Sequence, residues 1–144
     1  MSDVPVIAPA VTKETQAFWD ATAEGRLLLP RCDACGTVIW YPRLFCPSCG
    51  SDDISWIDAA GTGTVYSFTV VRRGQGPFAA ATPYVLAYVE LDEGPRMMTN
   101  IVDCDVESVE VGQPVTVVFA DTGKGTALPR FRPVRSPARH STAR

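Results

Sequence analysis

The sequence contains a single histidine, His140, among its 144 residues. A Ser-His-Asp triad, a histidine-rich catalytic metal site or an imidazole proton shuttle would each need such a group beside its chemistry. This one lies in a basic stretch near the end of the sequence, where a triad role is not expected. No G-x-S-x-G, H-E-x-x-H or Walker sequence occurs, and Gly74-Gln75-Gly76 lacks the strand-to-helix setting of a dinucleotide fingerprint. No apolar run approaches the ~20 residues needed to span a bilayer. Residues 1–10 lack the basic and apolar regions of a secretory signal and are interrupted by Asp3, Pro5 and Pro9, so a cytoplasmic setting is expected. There is also no excess of positive charge: 13 Lys and Arg stand against 16 Asp and Glu, a net of −3. That argues against a general nucleic-acid binder, which neutralises phosphates with a basic surface.

The charge is unevenly spread. Lys124, Arg130, Arg132, Arg135, Arg139 and Arg144 close the sequence with no acid among them. The end of the chain is therefore either a solvated tail or a cationic arm for a phosphorylated ligand or an acidic partner. Hydrophobic residues make up 46% and charged residues 20%, which is globular. The length suits one domain, or a small domain plus a clip, burying roughly 70% of its unfolded surface.

Four of the five cysteines are regularly spaced, as Cys32-Asp33-Ala34-Cys35-Gly36 and Cys46-Pro47-Ser48-Cys49-Gly50. Two thiolates separated by two residues reach one ion from a tight turn, and a second such turn completes a sulfur tetrahedron. The glycine after each pair permits positive φ, which lets backbone N–H groups turn toward the sulfurs. The pattern predicts a zinc ribbon with Cys32, Cys35, Cys46 and Cys49 as ligands. A disulfide framework is disfavoured without a secretory signal. A thioredoxin-like pair would use one C-x-x-C, not two facing knuckles. Iron would fit the same cage and remains an alternative. With all four positions filled by sulfur the ion has no open site, so its role is structural. The ribbon's own core is small, drawn from Val38, Ile39, Trp40, Tyr41, Leu44 and Phe45, which leaves folding dependent on the metal. The fifth cysteine, Cys104, lies between Asp103 and Asp105. Those carboxylates should raise its thiol pKa and leave it a packing residue.

Thr12 is positioned to cap a helix running to about Glu24 and closed by Gly25. Val11, Thr15, Phe18, Trp19 and Thr22 make one face of it, which packs either on the chain's own sheet or on a partner. From Trp56 the pattern changes period. Residues 63–71, 84–91, 96–102, 115–120 and 128–134 read as strands, joined by turn chemistry at 60–63, 92–95, 110–114 and 121–125. Five strands in about 75 residues is the count of a small Greek-key barrel of OB type. The 12-residue join from Arg72 to Pro83 is long enough to be a functional loop. The fold is thus expected to be mainly β: an N-terminal helix, a rubredoxin-like zinc ribbon, then a five-stranded OB-fold barrel. The expected division is leader and helix at 1–25, ribbon at 26–56, barrel at 57–134 and a basic flexible tail at 135–144.

Several segments together resemble one known family: Phe18-Trp19-Asp20 with Glu24-Gly25-Arg26-Leu27, the knuckles with Pro42-Arg43 between them, Gly63-Thr64-Val65-Tyr66-Ser67-Phe68-Thr69-Val70, Val89 to Arg96, and Leu128-Pro129-Arg130-Phe131. Over about residues 12–134 the chain resembles the acyl-CoA-associated OB-fold family of domain of unknown function thirty-five. The resemblance implies a non-catalytic accessory subunit in a hetero-oligomer with a thiolase-fold enzyme, either a thiolase or a thiolase-like aldolase such as one of steroid side-chain degradation. It further implies that helix and ribbon clamp the partner while the barrel helps form an acyl-CoA channel. Some relatives carry a hydratase domain, which the sequence lacks. Charge and loop position nominate Arg72, Arg73, Phe78 and Arg130 for the ligand, since arginine forks suit the phosphates of coenzyme A. Phe18 and Trp19 are nominated for the partner interface. The competing readings are a single-stranded nucleic-acid-binding OB module that stacks bases on Tyr66, Phe68, Tyr84 and Tyr88, an iron electron carrier, and an enzyme in its own right.

Overall fold

The computed structural model describes residues 4–134. The expected tail at 135–144, His140 included, lies outside the described residues. Two sheets follow one helix. The first is a hairpin of β1 (Leu28–Cys32) with β2 (Ile54–Asp58), antiparallel from Leu28↔Asp58 to Cys32↔Ile54. The second is a closed barrel of β3 (Thr62–Val71), β4 (Tyr84–Leu91), β5 (Arg96–Ile101), β6 (Pro114–Asp121) and β7 (Ala127–Pro133), in the order β3-β4-β5-β7-β6. That order is the OB arrangement anticipated from the strand count, and closure leaves no long free edge.

Helix α1 spans only Gln16–Thr22, shorter than Thr12 to Glu24. Its start is delayed because Thr12 and Thr15 bond each other: Thr12 N donates to Thr15 Oγ1 at 3.0 Å, and Thr15 N to Thr12 O at 3.1 Å. Threonine hydroxyls that bond nearby backbone compete with the helical ladder in this way. The end is as expected. Gly25 sits at φ +74°, Gly25 N donates to Thr22 O, and Arg26 N reaches Ala21 O. This pair of bonds is a Schellman closure. Thr22 Oγ1 also accepts from Ala127 N at 3.0 Å, tying the helix end to β7.

The helical face turns inward. Phe18 is 0% and Trp19 6% exposed, and both join Leu29, Val65, Val89, Met97 and Phe131 in one core. The chain itself covers them, which is the first of the two packings expected for this face. Burying side chains of this size contributes about 1.5–3 kcal/mol each.

Strand β3 bends at a bulge between Val65 and Ser67. Before it Gly63 and Val65 are buried; after it Phe68 and Val70 pack on the core. One extra residue reverses the side-chain parity and lets a single long strand serve both β4 and β6. Gly63 is required here by contact, because a Cβ would lie 2.3 Å from Glu90 O on β4. Strands β5 and β7 are parallel and pair only at Ile101↔Phe131. The wall there is thin, and Thr99 Oγ1 bridges it by donating to Pro129 O at 2.9 Å. The long β3–β4 join contains a 3-10 helix at Gly76–Ala81. No helix among the described residues is long and apolar enough to cross a membrane.

Candidate functional site

The two cysteine turns are built alike. Cys32 N donates to Thr37 O and Gly36 N to Cys32 O; in the second turn Cys46 N donates to Ser51 O and Gly50 N to Cys46 O. Gly36 and Gly50 stand at φ +80° and +79°, values that only glycine adopts freely. The first cysteine of each turn is buried and the second exposed. The four sulfurs lie within 4.8 Å of one another, with Cys32–Cys49 and Cys35–Cys46 each at 3.6 Å. Zinc–sulfur bonds of about 2.3 Å in a tetrahedron place sulfurs about 3.8 Å apart. The residues therefore fit a metal cage, and all four ligand directions come from the protein. Ser48 N points at Cys46 Sγ at 3.3 Å. It is a backbone N–H turned toward a sulfur, as expected, while the N–H groups of Gly36 and Gly50 bond carbonyls. The Thr37 hydroxyl, 3.1 Å from Cys35 Sγ, and the Thr37 backbone bring that thiol down to about 6, toward the thiolate a metal needs.

The protein around the cage is thin. Ile39 is buried with Cys32 and Cys46, and Ile54 packs against them. Leu44 and Phe45, expected in this core, are 55% and 53% exposed. They sit between the two turns, where no second layer covers them.

The nominated ligand residues do not converge. Exposed Arg72 pairs with Glu107 at 2.8 Å. Arg73 is exposed beside it, and Phe78 is half-buried against Tyr84 at 5.9 Å between ring centroids. Arg130 is elsewhere and is only 6% exposed, donating to Val4 O at 2.9 Å and to Pro5 O. Its fork holds the chain's leader, not an open surface. It lines a cleft with Phe18, Trp19, Trp40 and Met97, an association of distant segments that local sequence does not signal. Arg132 was not nominated, yet it borders a polar depression of ≈ 720 Å³ beside Cys104. Burial is the chief cause that pushes the Cys104 thiol up, and Asp105 and Asp103 add to it.

On the barrel's outer face Leu86, Tyr88 and Met98 are 36%, 47% and 57% exposed, and Tyr66 is 47% exposed with Arg96 3.8 Å over its ring. Cross-strand pairs Tyr88↔Met98 and Ser67↔Tyr88 bring these strands side by side.

Two family profiles cover most of the sequence: the ChsH2 rubredoxin-like zinc ribbon domain at residues 19–55 and the ChsH2 C-terminal OB-fold domain at residues 56–120. The probable enoyl-CoA hydratase alpha subunit of Thermomonospora curvata is 40% identical over 87% of this chain. That alignment covers 39% of the relative, so the chain spans well under half of its length. The DUF35 domain-containing scaffold protein of Methanocaldococcus jannaschii is 37% identical over 74% of this chain and 80% of that protein. The benzoylsuccinyl-CoA thiolase subunit BbsA of Geobacter metallireducens is 34% identical over 49% of this chain and 47% of that one. Among solved structures, a chain of the Ltp2-ChsH2(DUF35) aldolase matches with a TM-score of 0.78 and 40% identity, over 88% of this chain and 98% of that one. Cage, barrel order and matched length agree, and the chain belongs to the DUF35 family, with the ribbon and OB fold of ChsH2.

Proposed function

We propose that this chain is a non-catalytic accessory subunit that binds a thiolase-fold enzyme, a thiolase or a thiolase-like aldolase, and helps form its acyl-CoA channel, with a structural zinc in the ribbon. The observation that carries the reading is the likeness over nearly the whole length of a chain from the Ltp2-ChsH2(DUF35) aldolase. The chemistry of the described residues is consistent with it. Groups with displaced proton affinity are Cys35, Cys46 and Cys49 of the cage, the Arg26–Asp58 pair, Cys104 and Arg130, and no nucleophile stands beside a base among them. A zinc held by Cys32, Cys35, Cys46 and Cys49 would supply rigidity, not Lewis acidity, because sulfur fills its shell.

Two exposed apolar regions favour a docked state: Leu44 and Phe45 on the ribbon, and Leu86, Tyr88 and Met98 on the barrel. Contiguous apolar surface rimmed by polar groups is a common mark of an interface. Exposed Arg73 and Arg132 are the cations best placed to meet phosphates of coenzyme A.

The test is co-expression with a thiolase-fold enzyme from the same organism. A stable complex should co-elute on size exclusion, consistent with more than ~1,000 Å² of buried surface. The reading fails if the two never co-elute, or if the purified chain alone turns over an acyl thioester.

A further inference from the structure

The strongest unexplained charge in the molecule is Arg130. A guanidinium offers five N–H donors. Here two go to the carbonyls of Val4 and Pro5, and no carboxylate pairs with it among the described residues. Buried charges are ordinarily paired, because desolvation costs several kcal/mol otherwise.

Arg130 also borders a cleft of ≈ 190 Å³ walled by Trp19, Trp40, Met97, Leu128 and Pro129. The cleft exists because β5 and β7 share a single register pair, leaving a gap that the helix and the ribbon only partly roof. Its walls are mostly aromatic and aliphatic, with Thr99 and Asn100 among them, so a charge inside is screened less than in water. Its volume lies below the ~300–1,000 Å³ of drug-sized sites, which restricts the occupant to a small group.

We propose that this cleft is a receptor for a small carboxylate carried on an aromatic or apolar group, and that the leader at Val4 and Pro5 holds Arg130 in its absence. A carboxylate accepts two parallel N–H bonds from a guanidinium and brings a full negative charge, whereas the leader offers two neutral carbonyls. Binding therefore exchanges the leader for the anion without moving the barrel. The site uses this chain's residues alone, so it stands or falls separately from the partner reading.

The probe is benzoate, titrated into the full chain, with benzyl alcohol as the uncharged counterpart. Trp19 and Trp40 in the wall report occupancy by fluorescence, and hydrogen exchange at Val4 and Val6 reports the leader. Benzoate should saturably change the fluorescence and speed leader exchange about tenfold, while benzyl alcohol does neither. Arg130→Lys, which keeps the charge and loses the fork, should weaken benzoate about tenfold. A chain lacking residues 1–7 should bind it about tenfold tighter, since nothing then competes for the fork. The proposal is overturned if benzoate has no effect, if the alcohol acts equally, or if removing the leader leaves the affinity unchanged. Should Arg130→Lys fail to fold, the alcohol and the trimmed chain still decide the matter.

Discussion

Gly63 is held to glycine by its neighbour across the sheet. A methyl group there would meet Glu90 O at 2.3 Å and Val89 Cγ1 at 3.0 Å. The first obstacle is backbone and has no rotamer to escape into. Gly63→Ala should therefore cost about 1–3 kcal/mol, read as a lowered urea midpoint with an unchanged m-value. A midpoint equal to that of the parent would show that β3 and β4 separate more easily than their register implies. Arg26 and Asp58 illustrate the opposite, solvent-washed case. Arg26 Nε and Nη2 donate to the two Asp58 oxygens at 2.9 and 3.1 Å. The pairing holds the Asp58 carboxyl below the usual carboxylate range. A depressed folded-state value stabilises above the unfolded pKa of about 4 and is lost as pH falls through the depressed value. Asp58→Asn should thus show a small Tm deficit at pH 7 that closes in acid; a deficit that persists at pH 2 would contradict this sign. Arg130 marks where single-residue reading runs out. Its charge suggests surface, and its burial depends on carbonyls about 125 positions away.

The elements that could be read in advance are those whose signal is local. Both cysteine turns and all five barrel strands fall where spacing and turn residues put them, since a C-x-x-C-G turn and an alternating strand each carry their geometry in a few residues. The bulge in β3 could not be read, because the parity change it imposes is visible only against β4. Strand β2 was missed: Ile54 to Ile57 are all half-buried, so no alternation marks it, and its pairing with β1 spans the whole metal loop. The helix start was misplaced by two threonines that prefer each other. At the cage itself the metal outweighs the protein, with about 10 kcal/mol or more of apparent binding energy against one buried isoleucine and its few neighbours. A chelator at neutral pH should abolish amide protection between residues 28 and 56 while β4 and β5 stay protected. Unchanged protection in the ribbon after complete metal removal would refute that dependence. A colourless, zinc-loaded protein would also exclude the iron carrier.

At the scale of the whole molecule, helix, ribbon and barrel are not beads on a string. Phe18, Leu27 and Leu29 share one apolar cluster with Val65, Val115 and Phe131. The family could be read from the order of helix, cage and first barrel strand. The nominated ligand residues were chosen by charge and loop position along the chain, and the fold sends Arg130 and Phe78 to separate places. The large aromatics divide between interior and surface. Phe18 and Trp19 are spent on the interior, while Leu44, Phe45, Leu86, Tyr88 and Met98 are among the exposed apolar groups.

Strand β1 joins two environments within a short distance. Leu29 is embedded among barrel hydrocarbons, and Cys32, three positions on and about 10 Å away, is a corner of the sulfur tetrahedron. No hinge separates the two. An enzyme gripping only the ribbon would thereby aim the barrel as a hand on a hilt aims a blade, and loss of the ion would loosen grip and aim together.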